Sequence, residues 1–207
     1  MKIFIIIALL GLLLYLIARR FMLTSGDGTS IVRANQRQHF VLIDTSSLLI
    51  SRVTKSTLRT VGIGFLLLLI VIILGMKIKI LWILIPLSLY LIGQLFVYTN
   101  HIKYTKDQRI YFNLETYEVL VDHIKDQPLS FNLMRDVVSV SEVKSVQKNR
   151  DTLFGYYKLR LKQDIVVIPY LIEQNQNQAN KQFFTYLHEN FKIEVESRLF
   201  PIININH

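Results

Sequence analysis

Apolar residues are concentrated in two stretches of the chain, residues 3–18 and residues 61–98. A helix that crosses the hydrocarbon core of a bilayer needs about 20 apolar residues. The first stretch reaches that length once residues 21–23 are included. The second stretch is too long for one helix, and a glycine and two lysines interrupt it between residues 75 and 79. The pattern therefore predicts three transmembrane helices, one over residues 1–23 and a helical hairpin over residues 61–98.

The predicted hairpin consists of residues 61–74 and residues 80–98, joined by a tight turn. Paired helices satisfy their backbone hydrogen bonds within lipid, which makes a hairpin one of the few structures that a membrane accepts. Three glycines in these helices, Gly62, Gly64 and Gly93, are candidates for close helix packing. The ordinary glycine content of membrane helices is an equally good interpretation.

The first apolar stretch has a competing interpretation as a secretory signal peptide. Such a peptide has a more basic start and a cleavage site formed by small residues. Here the start carries only Lys2, and the stretch ends in Ala18, Arg19 and Arg20, a pattern typical of stop-transfer sequences. A retained membrane anchor is the favoured prediction.

The net charge of +9 is distributed unevenly along the chain. Residues 19–60 contain seven basic and two acidic residues, whereas residues 99–207 contain 14 basic and 13 acidic residues. Basic residues beside the membrane fit anionic phospholipid and the positive-inside rule better than they fit nucleic acid. The rule places residues 24–60 and 99–207 in the cytoplasm, with the amino terminus outside the cytoplasmic (inner) membrane. The two lysines in the hairpin turn oppose this orientation.

The loop over residues 24–60 is too short to fold alone, and it contains two β-like runs, residues 40–43 and 48–53. The two runs either form a β-hairpin or join the sheet of the C-terminal domain. Asp44 follows the first run and resembles the metal-binding aspartate of PIN-type nucleases. Such an enzyme needs three or four converging carboxylates, and no second acidic cluster is placed to supply them. Asp44 is therefore predicted to be a turn residue.

From residue 102 onward the hydrophobic pattern has a period of two, which is typical of strands with one buried face. A later segment changes to a helical period, with Ala179, Phe183, Leu187 and Phe191 spaced four residues apart. The pattern predicts strands over residues 110–114, 117–124, 129–131, 137–146, 155–161 and 165–170, followed by one amphipathic helix over residues 175–191.

This order of strands closed by one helix resembles the bacterial pleckstrin-homology-like (PH-like) domain of small membrane proteins. Five segments carry the resemblance: residues 111–119, 129–137, 156–161, 165–168 and 183–191. In that family a helical hairpin leads directly into the domain. The resemblance implies that residues 99–207 form a β-barrel or β-sandwich closed by the C-terminal helix.

Residues with catalytic or metal-binding chemistry do not form a motif in this sequence. The chain has no cysteine, which excludes disulfides and thiolate-bound zinc, and its five histidines are not spaced as metal ligands. There is no phosphate-binding glycine loop and no nucleophile elbow. We therefore predict a protein that is not an enzyme and that has no cofactor and no metal site.

One strand carries a run of basic residues on alternate positions, Lys158, Arg160 and Lys162. The ordinary interpretation is the solvated face of a half-buried strand. The functional interpretation is contact with lipid headgroups or with an acidic partner, extended by three further basic residues, Lys144, Lys148 and Arg150.

Two functions remain open from the sequence. The first is a membrane scaffold or accessory subunit, whose helices pack on other membrane subunits or on copies of itself while the PH-like domain docks a partner. The second is an oligomerising effector or channel-like protein whose soluble domain senses a ligand. The predicted helices lack the charged residues that proton relays and ion pathways use, which disfavours a transporter acting alone.

Overall fold

The computed structural model describes residues 40–123, 127–146, 154–175 and 177–204. The predicted helix over residues 1–23, the predicted loop up to residue 39, and Lys148 and Arg150 lie outside the described residues. The α-helices are α1 (Ser47–Gly75), α2 (Ile85–Asp107), α3 (Tyr170–Glu173) and α4 (Gln178–Asn190), and a 3-10 helix (Lys79–Leu84) precedes α2. The strands are β1 (Phe40–Ile43), β2 (Gln108–Asn113), β3 (Glu118–His123), β4 (Leu129–Asn132), β5 (Val137–Ser145), β6 (Gly155–Leu161), β7 (Ile165–Pro169) and β8 (Glu194–Arg198).

Helix α1 begins far earlier than the apolar stretch predicted. The side chain of Ser46 accepts a hydrogen bond from the Leu49 amide at 3.2 Å, which caps the first turn. The predicted strand over residues 48–53 is therefore wrong, because these residues form the first turns of α1. Only β1 joins the sheet of the C-terminal domain, where Phe40 pairs with Asn113 and Ile43 with Ile110.

The connection between the long helices lies where the glycine and the lysines interrupt the apolar run. Trp82 donates a hydrogen bond from its indole Nε1 to the Gly75 carbonyl at 2.9 Å, which ties the 3-10 helix to the end of α1. Pro86 lies in the first turn of α2, where a missing amide proton costs nothing. Helix α2 then continues to Asp107, nine residues beyond the predicted end, and leads directly into β2.

The eight strands form two four-stranded sheets. The first has the order β1-β2-β3-β4 and is antiparallel throughout, and the second has the order β7-β6-β5-β8. Strand β8, which the sequence pattern did not predict, pairs parallel with β5. The other strands follow the predicted ranges closely, and the described residues do not join the two sheets into a closed barrel.

One hydrophobic core lies between the two sheets and α4. It includes Phe112 and Val119 from the first sheet and Leu159 and Ile168 from the second. Helix α4 starts at a cap in which the Asn177 side chain accepts from the Asn180 amide at 2.7 Å. It contributes four buried apolar side chains to the core, Ala179, Phe183, Phe184 and Leu187. The amphipathic helix predicted over residues 175–191 is confirmed, with slightly narrower bounds.

A second hydrophobic cluster joins the domain to the long helices. It combines Val53 of α1 and Leu95, Tyr98 and Ile102 of α2 with two residues of the domain, Phe154 and Leu171. The domain therefore packs directly against one end of the helix pair.

Candidate functional site

The two long helices have the length and composition of membrane spans. Ser47–Gly75 and Lys79–Asp107 are each 29 residues long, and only 22% and 28% of their most apolar windows are buried. Buried core helices of soluble proteins hide far more of their apolar surface. Large exposed apolar side chains run from Leu58 on α1 to Met76, the residue that follows the helix. Those 18 steps cover about 27 Å at 1.5 Å per residue, close to the thickness of a bilayer core.

The three glycines named from the sequence have three different surroundings. A Cβ atom on Gly64 would lie 2.8 Å from the Leu91 Cβ and 3.1 Å from the Ile92 nitrogen, so the two helices approach each other closely at Gly64. Gly62 faces open space. Gly93 packs against the Phe200 ring, which follows β8, and not against the other helix.

A basic face on α1 borders the apolar surface at the domain end. Arg52, Lys55 and Arg59 are exposed and spaced three and four residues apart, so they lie on one side of the helix. We call these three residues the α1 basic face. In the sequence they contributed only to the charge count of a loop, because that segment was not predicted to be helical.

The basic residues predicted on one strand face, Lys158, Arg160 and Lys162, lie on β6 and directly after it, and we call them the β6 stripe. This stripe and its predicted extension do not form one basic surface. Lys158 and Glu194 are both paired with Ser141 across neighbouring strands, so they share the outer face of the second sheet. Glu196 lies on the same face, and its pKa is lowered by a hydrogen bond from Arg198 and by the charges of Arg198 and Lys158. The outer face is therefore of mixed charge.

Lys144, which the sequence grouped with this stripe, lies elsewhere. It pairs with Gly155 in β6, and so it projects from the opposite face of the sheet to Lys158. Its ammonium group lies 3.4 Å from the Glu142 carboxylate. Lys162 follows the end of β6 and is exposed. Of the described residues of the predicted patch, Lys158 and Arg160 therefore share one face of β6, and Lys144 does not lie on that face.

A polar cluster missed by the sequence lies between β6 and the last turn of α4. The Tyr157 hydroxyl donates to Glu173 Oε2 at 2.9 Å and lies 3.1 Å from His188 Nε2. The Tyr170 hydroxyl donates to the Glu142 carboxylate, and the Tyr157 and Tyr170 rings are 4.9 Å apart. Four separate elements supply these residues, so no local motif indicates the cluster.

The electrostatics of this cluster keep both tyrosines neutral. Burial raises the pKa of Tyr157, and the Glu173 carboxylate raises it further. Burial also raises the pKa of Tyr170, helped by its hydrogen bond to Glu142. A nucleophile or general base needs the opposite shift, toward the working pH. The cluster therefore joins the sheet to α4, and its chemistry does not resemble that of an active site.

A groove of about 330 Å³ opens between α4 and the turn that joins β2 to β3. Phe112, Leu114 and Tyr117 line it from the sheet, and Lys181, Tyr186 and Glu189 are among the α4 residues that line it. The Tyr117 and Tyr186 rings lie 4.6 Å apart. Since β2 starts where α2 ends, this turn lies at the end of β2 remote from the long helices.

The backbone at the groove is strained at Tyr117, which has a φ of 58°. This left-handed conformation is unfavourable for an aromatic residue. Its surroundings fix it: the Tyr117 amide donates to the Asn113 carbonyl and the Leu133 amide donates to the Tyr117 carbonyl, both at 3.0 Å. Strain fixed in this way is often found where a side chain is positioned for binding.

Asp44 and the histidines do not form a metal site in the described residues. No group of three or more His, Cys, Asp or Glu side chains there is placed to bind an ion. Asp44 lies in the connection between β1 and α1, and its carbonyl accepts hydrogen bonds from the side chains of Asn175 and Asn180 at 2.8 and 2.9 Å. Burial raises the pKa of its carboxyl group.

The fold and these surfaces define the class of the protein as an α+β domain packed on two long apolar helices. Comparison of the chain with protein-family models, with curated proteins and with solved structures finds no match. What the protein does must therefore follow from its own surfaces: the apolar helix pair, the α1 basic face and the groove at Tyr117.

Proposed function

We propose that this chain is a non-enzymatic integral membrane protein that serves as a scaffold or accessory subunit, with a domain that docks a protein partner. The observation that carries the proposal is the combination of an apolar helix pair with a domain packed firmly on one end of it. A protein that only needed an anchor would gain nothing from this packing, because a flexible linker suffices. The packing instead gives the domain a fixed orientation relative to the bilayer.

Three features support that fixed orientation. Helix α2 leads into β2 without a linker. Phe154 and Leu171 of the domain are buried against α2. The Thr54 and Tyr98 hydroxyls lie 2.6 Å apart, in hydrogen-bonding contact between the two helices at the level of the domain. A domain oriented in this way presents the same face to the cytoplasm in every copy, as docking of a second protein requires.

The groove at Tyr117 is the surface we assign to the partner. It lies at the end of β2 remote from the helices, and thus away from the bilayer in this arrangement. Its aromatic pair offers rigid apolar contact area, while Lys181 and Glu189 place opposite charges along one helix. The occupant we propose is a polypeptide segment of the partner with an apolar side chain between groups of opposite charge.

The proposed topology includes a third transmembrane helix over residues 1–23, with the amino terminus outside and the domain in the cytoplasm. It rests on the excess of basic residues in 19–60, which now includes the exposed α1 basic face. The resemblance of the domain to the PH-like family is part of the same proposal. It is supported by a β-rich core that a late helix covers.

Topology can be tested directly because the chain lacks cysteine. Single cysteines at Lys77, in the turn between the spans, and at Lys162, in the domain, are both at exposed positions. A membrane-impermeant maleimide should label K77C in intact cells, once any outer membrane has been permeabilised, and K162C only after the cytoplasmic membrane is broken. Labelling of both in intact cells, or the reverse order, would contradict the proposed arrangement.

Docking can be tested by a photo-crosslinking residue at Thr185, which is exposed in the groove, with Lys162 as a matched exposed control. In native membranes, position 185 should give one discrete crosslinked product that position 162 does not. Equal crosslinking at both positions, or at neither, would overturn the assignment of the groove. A homo-oligomer that makes vesicles leaky when a small ligand is added would instead support the channel-like alternative.

A further inference from the structure

The segment that follows β8 changes abruptly from charged to apolar. Strand β8 alternates Glu194, Glu196 and Arg198 with other residues, and the next five residues are Leu-Phe-Pro-Ile-Ile. Leu199, Phe200 and Ile202 are 59%, 37% and 42% exposed. Exposing three large apolar side chains side by side to water is unfavourable, and such patches mark contact surfaces.

The backbone of this segment is fixed on α2. The Asn100 side chain donates to the Ile203 carbonyl at 3.1 Å and accepts from the Ile203 amide at 2.7 Å. His101 Nε2 lies 2.7 Å from the Pro201 carbonyl, so this ring nitrogen carries the proton and donates it. The apolar side chains are therefore presented on a rigid backbone.

Phe200 extends this surface onto the apolar part of α2. Its ring fills the space left by the missing side chain of Gly93, where a Cβ atom would lie 2.8 Å from the ring. The ring also contacts Tyr90 at a centroid distance of 5.4 Å. The exposed segment is thus continuous with the lipid-facing surface of the helix pair.

The depth of Phe200 relative to the α1 basic face follows from the contacts between the helices. Gly64 lies against Leu91, and Thr54 contacts Tyr98. Arg59, midway between Thr54 and Gly64, is therefore level with about residue 95 of α2. Gly93 and Tyr90 lie on the membrane side of that level, by roughly 3 to 8 Å at 1.5 Å per residue.

We propose that residues 199–202 form a membrane wedge, which enters the boundary between lipid headgroups and acyl chains beside α2. This inference rests on the proposed function, since it requires the helix pair to span the bilayer. The α1 basic face contacts the headgroups, and Phe200 reaches slightly deeper than Arg59, as interfacial apolar residues of membrane-bound segments do. The backbone of Pro201 and Ile203, bound to His101 and Asn100, stays on the domain side of that level. Together the α1 basic face and the wedge fix both the depth and the tilt of the domain.

The test uses single-cysteine variants of the full chain carrying an environment-sensitive NBD fluorophore, reconstituted in phosphatidylcholine–phosphatidylglycerol vesicles. The wedge is probed at L199C and I202C. V138C, 61% exposed on β5, is the water control, and L69C, 44% exposed on α1, is the lipid control. The L199C and I202C labels should emit at shorter wavelength than V138C, and lipids with a nitroxide near the headgroup should quench them at least twofold more strongly.

Each outcome has a distinct meaning. If the labels at positions 199 and 202 have the same emission and quenching as the label at 138, and the label at 69 is in lipid, the wedge is wrong and the membrane-spanning proposal stands. If the label at 69 is also in water, the proposed function fails first. If 199 and 202 report an apolar site that lipid nitroxides do not quench, a protein surface covers the segment, and the wedge is again wrong.

Discussion

The side chain of Asn100 binds the backbone of Ile203 at both its amide and its carbonyl, at 2.7 and 3.1 Å. Asn100 lies on the helix that packs against the domain, and Ile203 follows the last strand. This pair of hydrogen bonds connects residues 103 positions apart and joins the segment after β8 to α2. Its loss should affect the whole fold, because it closes a long loop of chain.

Replacing Asn100 by alanine should lower the free energy of unfolding by about 1–3 kcal/mol, since two hydrogen bonds are lost and their partners are left partly buried. Denaturant unfolding in mild detergent measures this change. Asn190→Ala is the matched control, because the exposed Asn190 makes one bond to a carbonyl of its own helix. The control should change stability by less than about 0.5 kcal/mol. Equal losses in both variants would contradict the role given to Asn100.

Gly64→Ala should separate the long helices and destabilise the protein by about 1–3 kcal/mol. The added Cβ would lie 3.1 Å from the Ile92 nitrogen and from the Ser88 carbonyl oxygen. Backbone atoms cannot rotate away as a side chain can, so the helices themselves must shift. Unfolding in mixed detergent and SDS micelles measures the loss.

Gly62→Ala is the control for that prediction, because nothing lies within 4 Å of the added Cβ. It should be neutral, or stabilising by up to about 1 kcal/mol, since alanine favours a helix over glycine. If the two variants were equally destabilised, the close contact at Gly64 would not be what holds the helices together.

Stability should fall as the pH rises above about 10, the ordinary pKa of tyrosine. The pKa values of Tyr157 and Tyr170 are both raised in the folded protein by burial and by nearby carboxylates. The unfolded chain therefore releases these protons first, and deprotonation favours unfolding. Stabilisation from this source is complete below pH 10 and is lost progressively above it.

Chemical unfolding at pH 8, 10 and 11 measures this dependence. Tyr170→Phe should make stability less dependent on pH over this range, because one of the two shifted groups is removed. Tyr157→Phe should do the same and should also lower stability at pH 8, since Glu173 Oε2 loses the hydrogen bond from the Tyr157 hydroxyl. A slope between pH 10 and 11 that is unchanged in both variants would show that other groups govern alkaline unfolding.

The parts of the fold that the sequence predicted are those with a local signal. In the second half of β6 the buried Leu159 and Leu161 alternate with the half-buried Lys158 and the exposed Arg160, because one face covers the core. Residues 48–53 were assigned to the wrong class because a short apolar run fits a strand or a buried helix equally well. The hydrogen bond at the Ser46 cap and the packing of Val53 against the domain stabilise the helix.

The parts that were missed depend on contacts between distant residues. All five residues of β8 are exposed, so the strand has no hydrophobic alternation and exists through its parallel pairing with β5. The groove at Tyr117 requires α4 to lie across the β2–β3 turn, and the polar cluster gathers residues from β5, β6, α3 and α4. None of these arrangements produces a spacing of residues that can be recognised in the sequence.

The α1 basic face should contribute more to binding of anionic lipid than the β6 stripe. The α1 basic face borders the apolar surface of the helix pair, where each basic residue near an anionic bilayer contributes about 1 kcal/mol. The β6 stripe shares its sheet face with Glu194 and Glu196, which reduce its attraction for lipid phosphate. Replacing all three residues of either set by glutamine removes three positive charges, so the two variants are matched in charge.

The full chain in nanodiscs of phosphatidylcholine with increasing phosphatidylglycerol allows the comparison, with the number of retained anionic lipids counted by native mass spectrometry. Three residues at about 1 kcal/mol each contribute about 3 kcal/mol. The variant of the α1 basic face should therefore need at least tenfold more phosphatidylglycerol to retain the same number, a change that corresponds to about 1.4 kcal/mol or more. The variant of the β6 stripe should change this requirement less than threefold. If the variant of the β6 stripe instead had the larger effect, the β6 stripe would have to face the bilayer. The domain would then be tilted toward the membrane, which the packing of Phe154 and Leu171 on α2 does not allow.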